Sequence, residues 1–294
     1  MFLRTDLAIE AREISGDSSD GIDIYEKVCG NLKISRMNIH TEKASKNIHK
    51  PIGNYITIEG LPLTDNFRDV PEQIKVISDE IYSLLPKKGL ILVIGLGNIN
   101  ITPDALGPKS AESVLATRHI TGEIARSTGL DRLRQVAVLS PGVLGQTGIE
   151  TGELVISLAE RLKPSAVIAV DALASRSLSR LGRTIQISDS GISPGAGVGN
   201  HRLKLNGNTM GVPVIGIGIP TVVDAATLAA DIFADSRITA EQLKETVSPR
   251  GEQMVVTPRE IDLLVERASK LIGMSINCAL HTNFSFEELI ALVS

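Results

Sequence analysis

Two aspartates, Asp104 and Asp171, each follow a short apolar run of the kind found in buried strands. Two carboxylates held close together cannot both ionise cheaply, so one of them keeps its proton. The ionised member can take a proton from water, while the protonated member can donate a hydrogen bond to a carbonyl oxygen. This chemistry suits hydrolysis of a peptide bond. Because a coupled pair titrates as a unit, the sequence does not assign base and acid, although a helix-start position favours Asp104 as the ionised member.

Each aspartate also has a simpler explanation. Thr102 is expected to cap a helix with Pro103 at its first position, which puts Asp104 in the first turn, where it could merely stabilise the helix. A carboxylate at the end of an apolar strand costs free energy unless it is paired or functional, so an ion pair alone could explain Asp171. The candidate partners for that ion pair are Arg176 and Arg180.

Closely spaced glycines precede Asp104. Gly95, Gly97 and Asn98 follow the apolar run directly, and we expect them to bind substrate or to support the site. A dinucleotide-binding loop would need G-x-G-x-x-G, whereas position 100 is Asn, so this pattern argues against nucleotide binding.

A second glycine-rich segment begins near Gly191. Its exposed backbone N–H groups could hold a substrate backbone or an anion, and Gly195, Gly197 and Asn200 are the predicted contacts. The simpler alternative is an ordinary surface loop.

The elements that must position these residues alternate between strand and helix along the chain. This alternation predicts an α/β fold, with a mostly parallel sheet covered by helices and ligands bound beyond the carboxyl ends of the strands. Residues 47–53 are expected to form a loop, and residues 257–260 a capping box that opens a helix. The predicted strands are 33–40, 54–59, 89–95, 135–139, 165–170 and 212–219, and the predicted helices are 74–85, 104–118, 149–162, 222–233 and one from 258 through 272.

Composition bounds the possible functions. The chain has 294 residues, a net charge of −4 and 3% aromatic residues, which argues against nucleic-acid binding. No apolar run approaches the roughly 20 residues of a membrane helix, so no membrane partner is expected. Two cysteines in no metal-like spacing and the absence of a signal peptide predict free thiols, a cytoplasmic protein and no cofactor.

Four ordered motifs, together with the N-terminal segment Arg4 to Ala11, resemble the germination protease family, the spore endopeptidases of endospore-forming bacteria. The motifs are Gly95-Leu96-Gly97-Asn98 through Pro108, Val170-Asp171-Ala172-Leu173-Ala174-Ser175-Arg176, Gly191-Ile192-Ser193-Pro194-Gly195 with Gly197-Val198-Gly199-Asn200, and Gly218 through Ala225.

The resemblance implies a substrate class, the small acid-soluble proteins that coat spore DNA. It implies an atypical aspartic mechanism, with the two acids at Asp104 and Asp171. It also implies a core similar to the hydrogenase-maturation endopeptidases, a homotetramer, and synthesis as a zymogen in the forespore and spore core.

By the same resemblance the protein processes itself between Asp6 and Leu7. An acid, a branched apolar residue, Ala and a second acid are similar to the cleavage sequence of the substrate, so one site could make both cuts. Residues 1–6 would then be a pro-segment. Residues 7–294 would form a single peptidase domain, with an accessory β region at about 30–60 and a core at about 70–294.

Two other functions remain open. Asp104, Asp171 and His201 could bind a divalent ion, as in a metal-dependent maturation-type endopeptidase. The chain could also be a catalytically inactive binding protein of the spore. Three further acids could support the site: Asp189, Asp224 and Asp235.

Overall fold

The computed structural model describes residues 4–16, 20–193, 203–232 and 254–293. Within them the strands are β1 Ile22–Cys29, β2 Leu32–Ile39, β3 Gly53–Glu59, β4 Ile91–Gly95, β5 Val136–Leu139, β6 Ala166–Ser175, β7 Thr184–Ser188, β8 Val214–Asp224 and β9 Val255–Val256. The helices are α1 Ala8–Ser15, α2 Glu42–Ile48, α3 Pro71–Leu84, α4 Leu106–Glu112, α5 Gly122–Thr128, α6 Leu144–Thr147, α7 Thr151–Leu162, α8 Gly207–Met210, α9 Ala225–Ile232, α10 Ile261–Leu280 and α11 Phe286–Val293.

These strands form one sheet in the order β1-β2-β3-β7-β8-β6-β4-β5, with β9 paired to β8. β8, β6, β4 and β5 run parallel to their neighbours in that series. The pairs that join β7 to β8 and to β3 are antiparallel, as are β3–β2 and β2–β1. The predicted α/β fold with a helix-covered sheet is confirmed, and the parallel strands are its centre within a mixed sheet.

The alternation of side chains along β4 explains why helices cover both faces. Ile91 and Val93 pack into a core that includes α3 and α10, whereas Leu92 and Ile94 pack against α7. All four side chains are fully buried. A strand buried on both faces must be apolar throughout, which is why the uninterrupted run in the sequence predicts it correctly.

The accessory β region expected at about 30–60 is joined to the main sheet. β1 to β3 extend that sheet through β3–β7 pairing. Residues 42–48 form α2, although part of this stretch was predicted to be a loop.

β7 was not predicted because three of its five side chains are polar, and all three are buried: Thr184, Gln186 and Ser188.

Several predicted boundaries are also wrong. The helix expected over 104–118 is only α4, preceded by a 3₁₀ turn at Thr102–Asp104. The expected capping box at 257–260 does not form, because the Thr257 hydroxyl donates to the Thr221 carbonyl oxygen and the helix begins at Ile261. β6 and β8 run several residues past their predicted ends, with consequences for the site.

Among the described residues, no helix is both long and apolar enough to span a membrane.

Candidate active site

Asp104 ends the 3₁₀ turn that follows β4. Its Oδ2 accepts a hydrogen bond of 2.7 Å from the backbone N–H of Asn98. The hydroxyl of Thr221, on β8, donates to the carbonyl oxygen of Pro103 at 2.7 Å. Thr102 makes no side-chain cap here, so the predicted capping role is wrong. The carboxylate is therefore fixed by the glycine-rich segment and by a neighbouring strand.

The glycines before Asp104 are required by close backbone contacts. Gly97 has φ +117°, and a Cβ at this position would lie 2.1 Å from the carbonyl oxygen of Asp104. At Gly95 a Cβ would lie 2.3 Å from the carbonyl oxygen of Gly107. Gly95, Gly97 and Asn98 thus shape the turn that carries Asp104.

Asp171 lies inside β6 and not at its mouth, because the strand continues to Ser175. The residue is 5% exposed. Its Oδ1 accepts a hydrogen bond of 2.9 Å from the N–H of Ala172. In register it stands beside Gly218 of β8, where a Cβ would lie 2.6 Å from the Asp171 carbonyl oxygen.

The arginines proposed as simple ion-pair partners of Asp171 bind other carboxylates. Arg176 pairs with Asp231 at 2.6 Å. Arg180 bonds three acids, which are Glu10, Glu13 and Glu59. The hydrogen bonds that Arg180 donates to these acids, above all to Glu13, raise its pKa.

The segments that carry the two aspartates meet where β4 ends beside β6. The N–H of Leu96 donates to the carbonyl oxygen of Val170 at 2.8 Å. At Gly107, a Cβ would lie 2.1 Å from the Leu96 oxygen and 2.4 Å from the Val170 oxygen. Asp104 precedes Gly107 by three residues and Asp171 follows Val170. Because β5 lies on one side of β4 and β6 on the other, this is a topological switch point, where open α/β sheets bind ligands.

The N-terminal segment lies at the same end of the sheet. β4 ends at Gly95, opposite Val170, so the edge of β6 beyond that point does not pair with β4. Asp6 occupies this edge through its N–H, which donates to the Ala174 oxygen at 2.8 Å, and its Oδ2, which accepts from the Ala174 N–H at 2.8 Å. Leu7 is fully buried and clusters with Leu173.

Lys50 and Gln186 hold the backbone of this segment. Lys50 Nζ donates to the carbonyl oxygens of Thr5 and Asp6 at 3.0 and 2.9 Å. Gln186 Nε2 donates to the Asp6 oxygen at 3.2 Å, and its Oε1 accepts from the Ala8 N–H at 2.6 Å. Burial lowers the pKa of Lys50, against the opposing effect of the nearby acids. No local motif marks either residue in the sequence.

Glu10, one turn into α1, is the second anchor of the segment. It is fully buried and accepts hydrogen bonds from the N–H groups of Arg176 and Ser177 at 2.6 and 3.0 Å. The Thr5 hydroxyl also donates to it, and the same hydroxyl accepts from the Leu7 N–H. The strand end that follows Asp171 is therefore joined to the N-terminal segment.

A cavity of about 270 Å³ opens beside these groups. Gly218, the register partner of Asp171, lines it together with Leu173, which stands two residues beyond Asp171 on β6. The other side is lined by Asp6, Lys50 and Gln186. The N-terminal segment and the strand that carries Asp171 thus line the same cavity.

The remaining predicted residues are only partly described. Gly195, Gly197, Asn200, His201 and Asp235 lie outside the described residues. Asp189 accepts two hydrogen bonds from Asn54, at 2.7 and 2.6 Å. Asp224 accepts from the N–H and the hydroxyl of Thr227, which stabilises the start of α9. In the described ranges, no three His, Cys, Asp or Glu residues are grouped so that they could hold a metal ion.

Comparison with known protein sequences identifies the class of this protein. The family model described as germination protease matches residues 4–235. A germination protease of Caldanaerobacter subterraneus subsp. tengcongensis is 43% identical over 98% of this chain and 97% of its own. Those of Clostridium perfringens and a Geobacillus species are 41% and 34% identical, over 98% and 95% of this chain and 98% and 94% of theirs. The chain is therefore a peptidase, a hydrolase of peptide bonds.

Within that class, the chain belongs to the germination protease family, which confirms the resemblance carried by its motifs. A NiFe hydrogenase maturation protease of Thermococcus kodakarensis matches 67% of this chain and 98% of its own, with 19% identity and a TM-score of 0.38. The family assignment rests on the family model and the sequence relatives, and not on this structural likeness.

Proposed function

We propose that the protein is an endopeptidase that starts degradation of small acid-soluble spore proteins during germination, with Asp104 and Asp171 as its catalytic carboxylates. The observation that carries the proposal is the position of the two acids at the switch point of the sheet: Asp104 ends the turn that follows β4, and Asp171 is the first residue of β6 beyond its pairing with β4. Membership of the germination protease family supports the substrate class.

In the proposed reaction, the ionised carboxylate takes a proton from water, whose oxygen attacks the carbonyl carbon of the cleaved bond. The protonated carboxyl hydrogen-bonds the carbonyl oxygen and later delivers a proton to the leaving nitrogen. Asp104 accepts a hydrogen bond from the Asn98 N–H and Asp171 accepts one from the Ala172 N–H, and the two carboxyl groups are proposed to titrate as a unit.

We propose further that the protein is made as a zymogen, which processes itself between Asp6 and Leu7. Support comes from the position of this bond beside the cavity that Gly218 also lines. By the family resemblance, the protein would act as a homotetramer in the forespore and spore core.

The experiment is digestion of a purified small acid-soluble spore protein, with fragments followed by mass spectrometry. Asp104→Asn and Asp171→Asn are compared with wild type, and Asp79→Asn, an exposed acid on α3, is the matched control. We expect cuts after acidic residues by wild type and the control, and none by the two site variants. Activity that persists in either site variant would refute the carboxylate pair. Activity that is lost to a strong chelator would favour the metal-dependent alternative. A wild type from which residues 1–6 have been removed, and which still shows no activity, would favour the inactive binding protein.

A further inference from the structure

We propose that Lys50 and Gln186 bind and polarise the carbonyl oxygen of Asp6 while the Asp6–Leu7 bond is cut. This inference rests on the proposed self-processing and adds two residues that touch the reacting group. Neither residue belongs to the motifs that carry the family resemblance.

The first observation is that two side-chain donors converge on one backbone oxygen. Lys50 Nζ lies 2.9 Å and Gln186 Nε2 lies 3.2 Å from the oxygen of Asp6. Lys50 follows α2 and Gln186 lies on β7, so the two donors come from separate parts of the chain. Most backbone carbonyls in proteins bind a backbone N–H or water, whereas the Asp6 oxygen accepts from a part-buried ammonium and from a side-chain amide.

The second observation concerns how Lys50 is aimed. His49, the residue that follows α2, has the left-handed conformation, with φ 53°, which is uncommon for a residue other than glycine. The turn directs the next residue, Lys50, toward the N-terminal segment. Strained backbone of this kind persists where surrounding contacts maintain it, often at functional sites.

The third observation is that the peptide is held on both sides of the bond. The Asp6 N–H pairs with the Ala174 oxygen, and the Ala8 N–H pairs with Gln186 Oε1. The amide of Gln186 therefore contacts the chain before and after Leu7. Such fixation holds the carbonyl group in one orientation, which lowers the entropic cost of attack.

These contacts suit the charge that develops during hydrolysis. When water adds to the Asp6 carbonyl carbon, the C=O electron pair moves to oxygen, and the ammonium of Lys50 and the amide of Gln186 stabilise that negative charge. The water proton goes to the ionised carboxylate. On collapse the C=O bond reforms, the C–N bond breaks, and the protonated carboxyl group gives its proton to the nitrogen of Leu7. The products are a carboxylate at Asp6 and an amine at Leu7.

The test follows the intact mass of the full-length chain with time, since self-cleavage removes residues 1–6. Lys50→Met is expected to slow cleavage roughly 100- to 1,000-fold, as the loss of one oxyanion donor does elsewhere. Gln186→Glu keeps the acceptor for Ala8, replaces the donor with a second acceptor oxygen and adds a negative charge beside the Asp6 oxygen, so it should also slow cleavage. Lys43→Met is the matched control, because Lys43 is an exposed lysine of α2 paired with Asp20, and it should cleave as wild type does.

Lys50→Arg provides a second readout, since it keeps a positive charge. It should restore part of the rate lost in Lys50→Met, because its guanidinium can still donate to the Asp6 oxygen. A Lys50→Met chain that melts at the wild-type temperature yet cleaves at the wild-type rate would overturn the proposal. So would wild type that retains residues 1–6. If Asp171→Asn cleaves itself while Lys50→Met does not, the carboxylate pair fails and the role of Lys50 stands.

Discussion

Gly97 packs directly against the backbone of Asp104, so closely that a single methyl group would not fit. The predicted Cβ position lies 2.1 Å from the Asp104 carbonyl oxygen, and φ at Gly97 is +117°. Neither the contact nor the backbone angle tolerates a side chain. The geometry of the Asp104 turn therefore depends on this glycine.

Gly97→Ala should accordingly lose most peptidase activity and about 2 kcal/mol of unfolding free energy, from backbone strain and the displaced turn. Gly30→Ala is the matched control, because Gly30 also has positive φ (+60°) but a Cβ there meets nothing within 4 Å. It should lose about 1 kcal/mol and keep its activity. Urea melts and substrate digestion on both variants are the measurements, and a fully active Gly97→Ala would contradict the argument.

Thr221→Val tests the other attachment of the same turn. The change keeps the shape of a fully buried side chain and removes the hydroxyl that donates to the Pro103 oxygen. We expect a loss of about 1–3 kcal/mol in stability and a fall in kcat, because the turn that carries Asp104 is released. Thr117→Val, which removes another buried hydroxyl bonded to the Arg134 oxygen, should cost similar stability and leave kcat unchanged. Equal kcat values in the two variants would refute a positioning role for Thr221.

Glu10→Gln should be one of the more destabilising single changes in the N-terminal segment. It removes the negative charge of a fully buried carboxylate that binds Arg180 and two backbone N–H groups. The positive charge of Arg180 then loses one of the carboxylates that balance it. We expect a loss of about 3–5 kcal/mol in a denaturant melt. The control is Glu13→Gln, which also bonds Arg180 but is about half exposed, and its cost should stay under about 1 kcal/mol. Similar losses in both variants would argue against burial as the cause.

His281 should make stability depend on pH. It follows α10, is 1% exposed, and has a pKa lowered to about 4 by burial and by the charge of Arg134. Because the folded pKa lies below the unfolded value of about 6.5, the unfolded chain binds more protons between these values. The contribution of this group is therefore present above pH 6.5 and lost as pH falls through 4, up to about 3 kcal/mol.

His281→Leu should flatten that part of the curve. The measurement is the free energy of unfolding at several pH values between 7 and 4, for wild type and variant. If both proteins lose the same stability over this range, His281 is not the titrating group.

The sequence predicted the segments that carry Asp104 and Asp171, because the residues that define each segment are close together along the chain. The apolar strands before Asp104 and within β6 are buried on both faces, and glycines stand where backbones touch. The sequence did not predict where β6 ends, because no local signal distinguishes a strand end at Val170 from one at Ser175. The strand continues there because β8 remains beside it.

The contacts of Lys50 and Gln186 were beyond such patterns. Lys50 meets Thr5 and Asp6 across more than 40 residues, and Gln186 meets Asp6 across 180. Neither residue stands in a periodic stripe or a motif, because their partners are backbone carbonyls, which carry no residue-type signal. Only the folded sheet, with β7 between β3 and β8, brings them together.

The position of β7 also fixes the order in which the molecule can be completed during synthesis. β1 to β3 are made within the first 60 residues, yet in the described part of the chain they join the rest of the sheet through residues 184–188. At about 5–20 residues per second, roughly 120 further residues take about 6 to 25 seconds to emerge, and long-range pairing is slow in itself. For most of that interval Asp6 has neither Ala174 nor Gln186 to bind. The bond after Asp6 thus comes to rest beside the cavity only in a chain whose sheet is already assembled, so the timing of synthesis would confine the proposed self-cleavage to completed chains.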